Sequence, residues 1–339
     1  MRIALVTDAW TPQVNGVVRT LASVRAELQT AGHEVLVIAP DRFLSFPCPT
    51  YPEIRLALTL SMGRAIAAFA PDAIHIATEG PLGLAARHWC LRRDYPFTTA
   101  YHTHFPDYVA ARTNVPADWI WRYVRWFHAP SRSVLVATQT VRRALEARGV
   151  AHVRPWGRGV DLDCFDRAAA PHPLFAALPR PILLYVGRIA VEKNIGAFLD
   201  SSAPGSRVVV GDGPALETLA AAYPDAHFLG ALSGRELAGV YAGADVLVFP
   251  SRTDTFGLVM IEALACGTPV AAYPVTGPID VLDPSVGCME EDIDRAIAGA
   301  LTRNRAACAA YGARFTWAAS ARQFLDALVP LNSETRRAA

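Results

Sequence analysis

Two carboxylates flank a predicted helix start in the stretch SRTDTFGLVMIEALACGTPVAA, residues 251–272. Asp254 falls in the loop after the strand-like run DVLVFPS, and the next helix is predicted to begin near Phe256 and Gly257. Gly257 would let a ligand approach the backbone, where free N–H groups of the first turn can receive an anion. Glu262 would lie inside an otherwise apolar helix, where two sugar hydroxyls would satisfy its oxygens. Alternatively, Glu262 points to solvent and Asp254 caps the helix.

Two cations occur in a second motif, YVGRIAVEKN, residues 185–194. The motif follows the strand-like run PILLYV, and Arg188 and Lys193 are predicted to stand at the start of a helix. Two cations beside a helix N-terminus would form a diphosphate site and would stabilise a departing phosphate as its charge develops. The alternative is an exposed loop whose cations pair with Glu192.

Glycine-containing turns follow two further strand-like runs. Asn15 and Gly16 open a predicted helix in TDAWTPQVNGVVRT, residues 7–20, where the turn would suit a phosphate or a sugar. The G-x-G-x-x-G fingerprint of dinucleotide binding is absent, so an ordinary strand-to-helix turn is the alternative. The run VVGDGP, residues 209–214, allows the same two interpretations.

Two histidines, His102 and His104, stand in AYHTHFPDY at the end of another predicted strand. They could be a metal pair, a general base or part of a polar loop, but the local sequence lacks a third ligand at suitable spacing. The acidic pair DLD, residues 161–163, is similar to a metal-binding D-x-D motif, yet it falls between two predicted domains. We therefore expect no metal site.

The elements that must position these residues alternate along the chain as apolar strands and amphipathic helices. Such alternation predicts parallel α/β sheets with right-handed crossovers. The strand-like runs cover residues 3–8, 34–40, 73–78, 96–102, 133–138, 181–187, 207–213, 227–231, 245–251 and 269–275.

A stretch rich in Pro, Gly and charge, from about residue 156 to residue 180, divides the pattern. We predict two doubly wound, Rossmann-like domains, residues 1–155 and 156–315, whose strand ends face a central cleft where ligands bind. The last helical pattern, residues 316–330, is expected to pack back onto the first domain.

Composition excludes several classes of protein. The net charge is +1, so no overall basic surface indicates nucleic-acid binding. The six cysteines are scattered, which favours a reducing cytosol over a disulfide framework. Mean hydropathy is +0.21, but no apolar run approaches the roughly 20 residues that span a bilayer, and no leader pattern opens the chain. We expect a cytoplasmic protein that is soluble or lies on a membrane surface.

The order of these motifs is more specific than any one of them. NGVVRT, EGPLG (79–83), YHTHFPDY, WGRGVD, the G-R-x4-K pattern and the carboxylate-x7-Glu pattern before ACGTPV resemble the retaining GT-B glycosyltransferases of family four. Within the glycogen-synthase-like superfamily, the resemblance points to the lipid-glycosylating branch. That branch includes GDP-mannose-dependent α-mannosyltransferases and the sulfoquinovosyl- and glucuronosyl-diacylglycerol synthases.

The resemblance implies a role for each matching residue. Arg188 and Lys193 match the diphosphate-binding pair, Glu262 the carboxylate on the ribose hydroxyls, and Asp254 the acidic residue on the transferred sugar. The remaining matches are the backbone of Phe256, Gly257 and Leu258 along the donor, Gly16 closing from the other domain, His102 beside the reacting centre, and Asn15, His102 and His104 on the acceptor side. The superfamily usually has Glu at the position of Asp254, so the donor sugar stays open.

The implied reaction moves a hexosyl unit from a nucleoside-diphosphate sugar, GDP-mannose or a UDP-hexose or uronate, to a hydroxyl of a lipid acceptor with retention. It requires no metal or other cofactor, and the catalytic residues would be His102, Arg188, Lys193 and Asp254. A nucleotide-sugar epimerase or hydrolase, or a non-catalytic nucleotide-sugar-binding protein, would be compatible with the same architecture. The missing glycine fingerprint disfavours a nicotinamide dehydrogenase.

One segment suggests contact with an anionic membrane, PADWIWRYVRWFHAPSR, residues 116–132. Trp119, Tyr123 and Trp126 recur at helical spacing, and arginines at 122, 125 and 132 add positive charge. Aromatic residues at this spacing also occur in domain cores, so the alternative is that these side chains are buried.

Overall fold

The computed structural model describes residues 1–13, 15–48, 51–59, 61–102 and 116–331. The chain forms two compact units. Unit 1 comprises Met1–Gly157 and Trp317–Ala339, and unit 2 comprises Arg158–Thr316. Each unit is built on a six-stranded sheet in which every pair of neighbouring strands is parallel.

The strands of unit 1 are β1 Arg2–Val6, β2 Glu34–Ile38, β3 Ser45–Cys48, β4 Tyr51–Ala57, β5 Ala73–Ile76, β6 Thr98–Tyr101, β7 Val134–Val136 and β8 Val153–Pro155. Those of unit 2 are β9 Ile182–Val186, β10 Ser206–Val210, β11 His227–Phe228, β12 Val246–Phe249, β13 Val270–Ala272 and β14 Gly287–Met289. Strands β3 and β4 pair as an antiparallel hairpin outside the main sheet.

The described helices of unit 1 are α1 Gly16–Thr30, α2 Met62–Phe69, α3 Pro81–Leu91, α4 Ala117–His128, α5 Gln139–Ala147 and α13 Trp317–Ala327. Those of unit 2 are α6 Ile195–Leu199, α7 Leu216–Ala222, α8 Gly234–Gly243, α9 Leu258–Ala265, α10 Pro278–Val281, α11 Ile293–Ala300 and α12 Arg305–Gly312. Short 3-10 turns occur at Pro40–Arg42, Pro173–Ala176 and Val191–Lys193.

Helices cover both faces of the unit 1 sheet, as the alternation along β1 shows. Ile3 and Leu5 belong to a core cluster with residues of α1 and α13, whereas Ala4 and Val6 belong to a second cluster with residues of α2 and α3. Successive side chains of a strand point to opposite faces, so a strand buried on both sides reads as a continuous apolar run. The predicted α/β class with two doubly wound sheets is confirmed.

The carboxyl-terminal helix α13 packs against unit 1 rather than the unit that precedes it in the chain. Gln323 accepts a hydrogen bond from the N–H of Gly157 at 2.6 Å. The ring of Phe324 lies 4.8 Å from that of His75 and 5.2 Å from that of Trp156. These contacts insert α13 into the core above β5.

Each sheet reverses its strand order once. In unit 1 the order is β2-β1-β5-β6-β7-β8, and in unit 2 it is β11-β10-β9-β12-β13-β14. Connections therefore leave in opposite directions from β1 and β5, and from β9 and β12. In open α/β sheets, ligands bind at the carboxyl ends of the two strands that flank this reversal.

Every strand predicted from an apolar run is present, but β3, β4, β8 and β14 were not predicted. Strands β8 and β14 are edge strands of three residues each. An edge strand tolerates the Arg and Pro of β8 because one side of its backbone needs no strand partner. Such short mixed segments carry no periodic signal.

Candidate functional site

Two neighbouring strands of unit 2 bring the motif residues that follow them to one edge of the sheet. Strands β9 and β12 are neighbours, with Val246 paired to Leu183, and both run toward the same sheet edge. Arg188 and Lys193 follow β9, and Asp254 follows β12. The reversal of strand order in unit 2 therefore places these residues together, although about sixty positions separate them in sequence.

The two loops are joined by an ion pair. Lys193 Nζ lies 2.6 Å from Asp254 Oδ1, and the two side chains are 20% and 22% exposed. Asp254 is thus an ion-pair partner of Lys193, and it does not cap the following helix. An incoming diphosphate can compete for this ammonium group because both groups of the pair reach solvent.

The predicted helix behind the two cations is much reduced. Lys193 ends the 3-10 turn Val191–Lys193, Asn194 adopts a left-handed conformation with φ of 54°, and α6 spans five residues. A helix this short has little macrodipole. An anion at this loop would therefore interact with the charged side chains of Arg188 and Lys193 rather than with a helix terminus.

The Arg188 loop is supported by the G-D-G-P motif. Gly211 has φ of +144°, and a Cβ there would lie 1.9 Å from the carbonyl oxygen of Gly187. Tyr185 donates a hydrogen bond to the carbonyl oxygen of Arg188 at 2.8 Å. Burial, with the nearby charges of Asp254 and Glu192, raises the pKa of Tyr185 far above its usual value. The motif considered for phosphate binding therefore has a structural task, which is close packing beneath Arg188.

Helix α9 begins at Leu258, and Gly257 is its N-cap residue with φ of +84°. A Cβ at this position would meet Met260 and Phe249 at 2.8 and 2.9 Å, so the site requires glycine in both space and backbone conformation. No side chain caps the helix start. The ring of Phe256 is buried, which leaves the backbone around the N-cap as the part that a ligand can approach.

Glu262 lies inside α9 and is 2% exposed, so the interpretation that it points to solvent is wrong. Its Oε2 accepts a hydrogen bond at 3.0 Å from the hydroxyl of Tyr241, a residue of α8 that is itself buried. The sequence analysis missed Tyr241. The signal that could have linked the two is that a buried tyrosine hydroxyl generally has a partner.

In unit 1, Asn15 and Gly16 stand at the start of α1. Asn15 Oδ1 accepts hydrogen bonds from the N–H groups of Val17 and Val18, both at 3.0 Å. This is the N-cap geometry that asparagine favours. The side chain of Asn15 thus performs the ordinary strand-to-helix role considered from the sequence.

His102 follows β6 directly and is half-buried, with its ring 5.5 Å from that of Trp156 in an edge-on arrangement. His104 lies outside the described residues. Asp161 accepts a hydrogen bond from the N–H of Asp163 at 3.1 Å, and both are exposed, as in a capped turn. Across the described residues, no three His, Cys, Asp or Glu side chains are arranged to hold a metal ion.

Helix α4 exposes two of its three spaced aromatic residues. Trp119 is 68% exposed and Trp126 is 52% exposed, whereas Tyr123 is half-buried and donates a hydrogen bond to the carbonyl oxygen of Glu79. The guanidinium carbon of Arg87 lies 3.9 Å from the centre of the Trp126 ring. The interpretation of the whole stripe as core is therefore wrong for both tryptophans.

The exposed face of α4 also carries Arg122 and Arg125. The opposite face is apolar and buried, through Ile120, Trp121, Val124 and Phe127. None of the described helices has the length and apolarity to cross a bilayer.

Comparison with known proteins places this geometry in a family. The model of glycosyltransferase family 4 matches residues 14–164, and the model of glycosyl transferases group 1 matches residues 180–304. Together the two matches cover the motif residues of both units.

Two relatives and one solved structure are similar over most of the chain. A GDP-mannose-dependent alpha-mannosyltransferase of Mycobacterium tuberculosis is 34% identical over 84% of this chain and 82% of its own length. An alpha-monoglucosyldiacylglycerol synthase of Streptococcus pneumoniae is 29% identical over 80% and 71%. The structure of sucrose-phosphate synthase from Thermosynechococcus elongatus superposes with a TM-score of 0.75 at 23% identity, over 96% of this chain and 97% of that one. The chain therefore belongs to glycosyltransferase family 4 and is a retaining hexosyltransferase with the GT-B fold.

Proposed function

We propose that the enzyme transfers a mannosyl unit from GDP-mannose to a hydroxyl of a diacylglycerol-type membrane lipid, forming an α-glycoside. The observation that supports donor binding most directly is the convergence of Arg188, Lys193 and Asp254 at the reversal of the unit 2 sheet. The choice of mannose follows the relative named as GDP-mannose-dependent, and the choice of lipid follows the relative named as a diacylglycerol glycoside synthase.

On this proposal, donor binding rearranges the ion pair of unit 2. The diphosphate replaces Asp254 as the partner of Lys193, and Arg188 supplies the second cation. Asp254 is then released to accept a hydrogen bond from a hydroxyl of the hexose, while Glu262 holds the ribose. The exchange stabilises the negative charge that grows on the departing phosphate as the glycosidic bond breaks. Stabilising this charge lowers the activation free energy of the reaction.

Retention follows if the acceptor attacks the face from which the diphosphate departs. The bond between the anomeric carbon and the phosphate oxygen breaks, the acceptor oxygen bonds to the same face, and the acceptor proton passes to the departing phosphate. Arg188 and Lys193 assist the departure, and His102 would stand beside the reacting hydroxyl. Each step uses side chains of this chain and the two substrates alone.

The lipid side of the proposal rests on α4. Exposed tryptophans favour the headgroup region of a membrane, and Arg122 and Arg125 on the same surface favour anionic lipid. A surface of this kind would hold the enzyme where a lipid hydroxyl is available.

The donor site can be probed through one amine, because Lys193 is the only lysine of the chain. Mild acylation followed by mass spectrometry reports on Lys193, with the amino group of Met1 as the internal reference. We expect GDP to protect Lys193 and to leave Met1 unchanged. Equal acylation of Lys193 with and without saturating GDP contradicts its place in the donor site.

The reaction itself is tested with GDP- and UDP-sugars against diacylglycerol, glycosyl-diacylglycerol and polyprenyl acceptors in mixed vesicles. We expect mannosyl transfer from GDP-mannose to a diacylglycerol-type lipid, with an α-anomeric signal in the product by NMR. Free sugar in proportion to nucleotide and no lipid product would identify a hydrolase. Donor binding without turnover would identify a binding protein.

A further inference from the structure

The carboxyl edge of the unit 1 sheet has its own reversal, between β1 and β5, and two acids lie there. Asp8 follows β1 and is buried, and it accepts hydrogen bonds from the Thr78 hydroxyl and from the N–H of Leu82 at the start of α3. Its oxygens are thus committed to holding the loop, and burial raises its pKa. Glu79 follows β5, and its side chain is 18% exposed.

Glu79 and His102 stand in the loops that follow two neighbouring parallel strands. Ile76 of β5 pairs with Thr99 of β6, and Glu79 and His102 each stand the same number of residues beyond that pair. Neighbouring strands lie about 4.8 Å apart. Two neighbouring hydroxyls of one polyol can therefore reach the two loops together.

A chain of hydrogen bonds beneath Glu79 holds the ring of His128 in place. The Ser131 hydroxyl donates to the carbonyl oxygen of Ser133 at 3.4 Å, and the Thr99 hydroxyl donates to Ser131 Oγ at 3.2 Å. The oxygen of the Thr99 hydroxyl also lies 2.8 Å from Nδ1 of His128, whose side chain is buried.

The other nitrogen, His128 Nε2, lies 3.3 Å from Glu79 Oε1. The contacts at both ring nitrogens hold the imidazole beside Oε1 of Glu79. The backbone of Glu79 is held as well, because the Tyr123 hydroxyl donates to its carbonyl oxygen. Within the described residues only Oε1 is engaged, which leaves Oε2 available to a ligand.

We propose that Glu79 is an acceptor-binding residue, with Oε2 accepting a hydrogen bond from a hydroxyl adjacent to the one that reacts. His128 and Thr99 are positioning residues that hold the carboxylate in place. The inference rests on the proposed function and narrows it to acceptors with an uncharged polyol head, such as a glycosylated diacylglycerol. Diacylglycerol offers one hydroxyl, and a phosphate beside Glu79 would be repelled by its charge.

The test compares wild type with Glu79→Gln on vesicles containing diacylglycerol, glycosyl-diacylglycerol or phosphatidylglycerol. Glu146→Gln, on the exposed face of α5, is the matched control. We expect the wild-type enzyme to prefer glycosyl-diacylglycerol. Glu79→Gln should raise the KM for this lipid about tenfold, because one hydrogen bond to a charged group is lost. The donor KM and the slow hydrolysis of donor without lipid should match wild type, which also shows that the variant is folded.

The positioning residues are tested through Thr99. Thr99→Val removes the hydroxyl that contacts His128 Nδ1 and should raise the KM for the lipid acceptor several-fold with kcat and donor KM unchanged, whereas Thr99→Ser should restore the wild-type value. An unchanged acceptor KM in Glu79→Gln, or equal losses in donor hydrolysis and transfer, overturns the assignment of Glu79. A wild type that hydrolyses donor and glycosylates none of the lipids contradicts the proposed function itself.

Discussion

The two sheets each reverse their strand order once, and different side chains stand at the two reversal points. In unit 2 the loops after β9 and β12 carry Arg188, Lys193 and Asp254. In unit 1 the loops after β1 and β5 carry Asp8 and Glu79. The sequence of these two loops contains no lysine or arginine. Unit 2 thus carries two cations at its reversal and unit 1 two carboxylic acids, and our proposals assign a diphosphate to the first and a hydroxyl to the second.

The helices that begin behind Asn15 and Gly257 differ in how their first turns are capped. Helix α1 begins behind Asn15, whose side chain accepts hydrogen bonds from two N–H groups of the first turn. Helix α9 begins behind Gly257 with no side-chain cap. The uncapped start can offer its N–H groups to an anion, which is further support for placing the donor phosphates in unit 2.

Replacing the cations of unit 2 should have the largest effect. We expect Lys193→Ala or Arg188→Ala to lower kcat/KM by about 30- to 1,000-fold, since removal of a preorganised charge-stabilising group costs roughly 2–4 kcal/mol in the transition state. Steady-state kinetics with saturating lipid measures this loss. Arg295→Ala, an exposed arginine on α11, is the control and should be neutral. Near-normal kcat/KM in both folded variants would remove these residues from the site.

The two carboxylates of unit 2 should separate nucleotide binding from sugar recognition. Glu262→Gln should weaken GDP binding by about 1.5–3 kcal/mol, the range for hydrogen bonds to charged groups. Asp254→Asn should leave GDP affinity close to wild type, because it frees Lys193 from its ion pair, and should alter discrimination among donor sugars. Calorimetry with GDP and with intact donors distinguishes an effect on nucleotide binding from an effect on sugar recognition. Equal losses for both ligands in both variants would show that this division is wrong.

Membrane contact is expected from unit 1 alone. Arg122→Ala with Arg125→Ala should weaken binding to anionic vesicles by about 2 kcal/mol, near 1 kcal/mol for each arginine at such a surface. Trp126→Ala should weaken binding further, and all variants should keep GDP affinity. Sedimentation with anionic and neutral vesicles measures the difference. If the wild-type enzyme does not bind anionic vesicles, α4 has no membrane role and the acceptor is water-soluble.

Acid should destabilise unit 1 before unit 2 through His75. This residue is buried between Trp156 and Phe324, and burial lowers its pKa to about 3 from 6.5. The unfolded chain binds a proton below pH 6.5 that the folded chain excludes, so stability is complete above pH 6.5 and falls as pH drops toward 3. The loss is about 1.4 kcal/mol at pH 5.5.

Hydrogen exchange at pH 7 and pH 5.5 measures this effect strand by strand. Protection should fall in β5 and β6 and persist in β9 and β12. His75→Gln, which can keep a hydrogen bond to Thr98, should reduce the difference between the two pH values. An equal loss of protection in both sheets would assign acid sensitivity to other groups.

Local sequence was sufficient for the long central strands and for the motif residues that follow them, although it missed strands β3, β4, β8 and β14. Apolar runs predicted the long central strands, glycines such as Gly257 marked backbone positions that side chains cannot occupy, and the position of Lys193 and Asp254 behind strands indicated a shared edge. Hydrophobic periodicity indicates which face of a single element is buried. It can therefore be recognised in the sequence without knowledge of the fold.

The tertiary structure alone decided the partners. Lys193 pairs with Asp254, Glu262 accepts from Tyr241, and the chain from Ser131 through Thr99 and His128 ends at Glu79. These contacts join residues on different elements, so they depend on strand order and on how helices pack over the sheet. The exposure of Trp119 and Trp126 also depends on the tertiary structure. Aromatic residues at the same helical spacing are buried or exposed according to which neighbouring elements pack on that face of the helix.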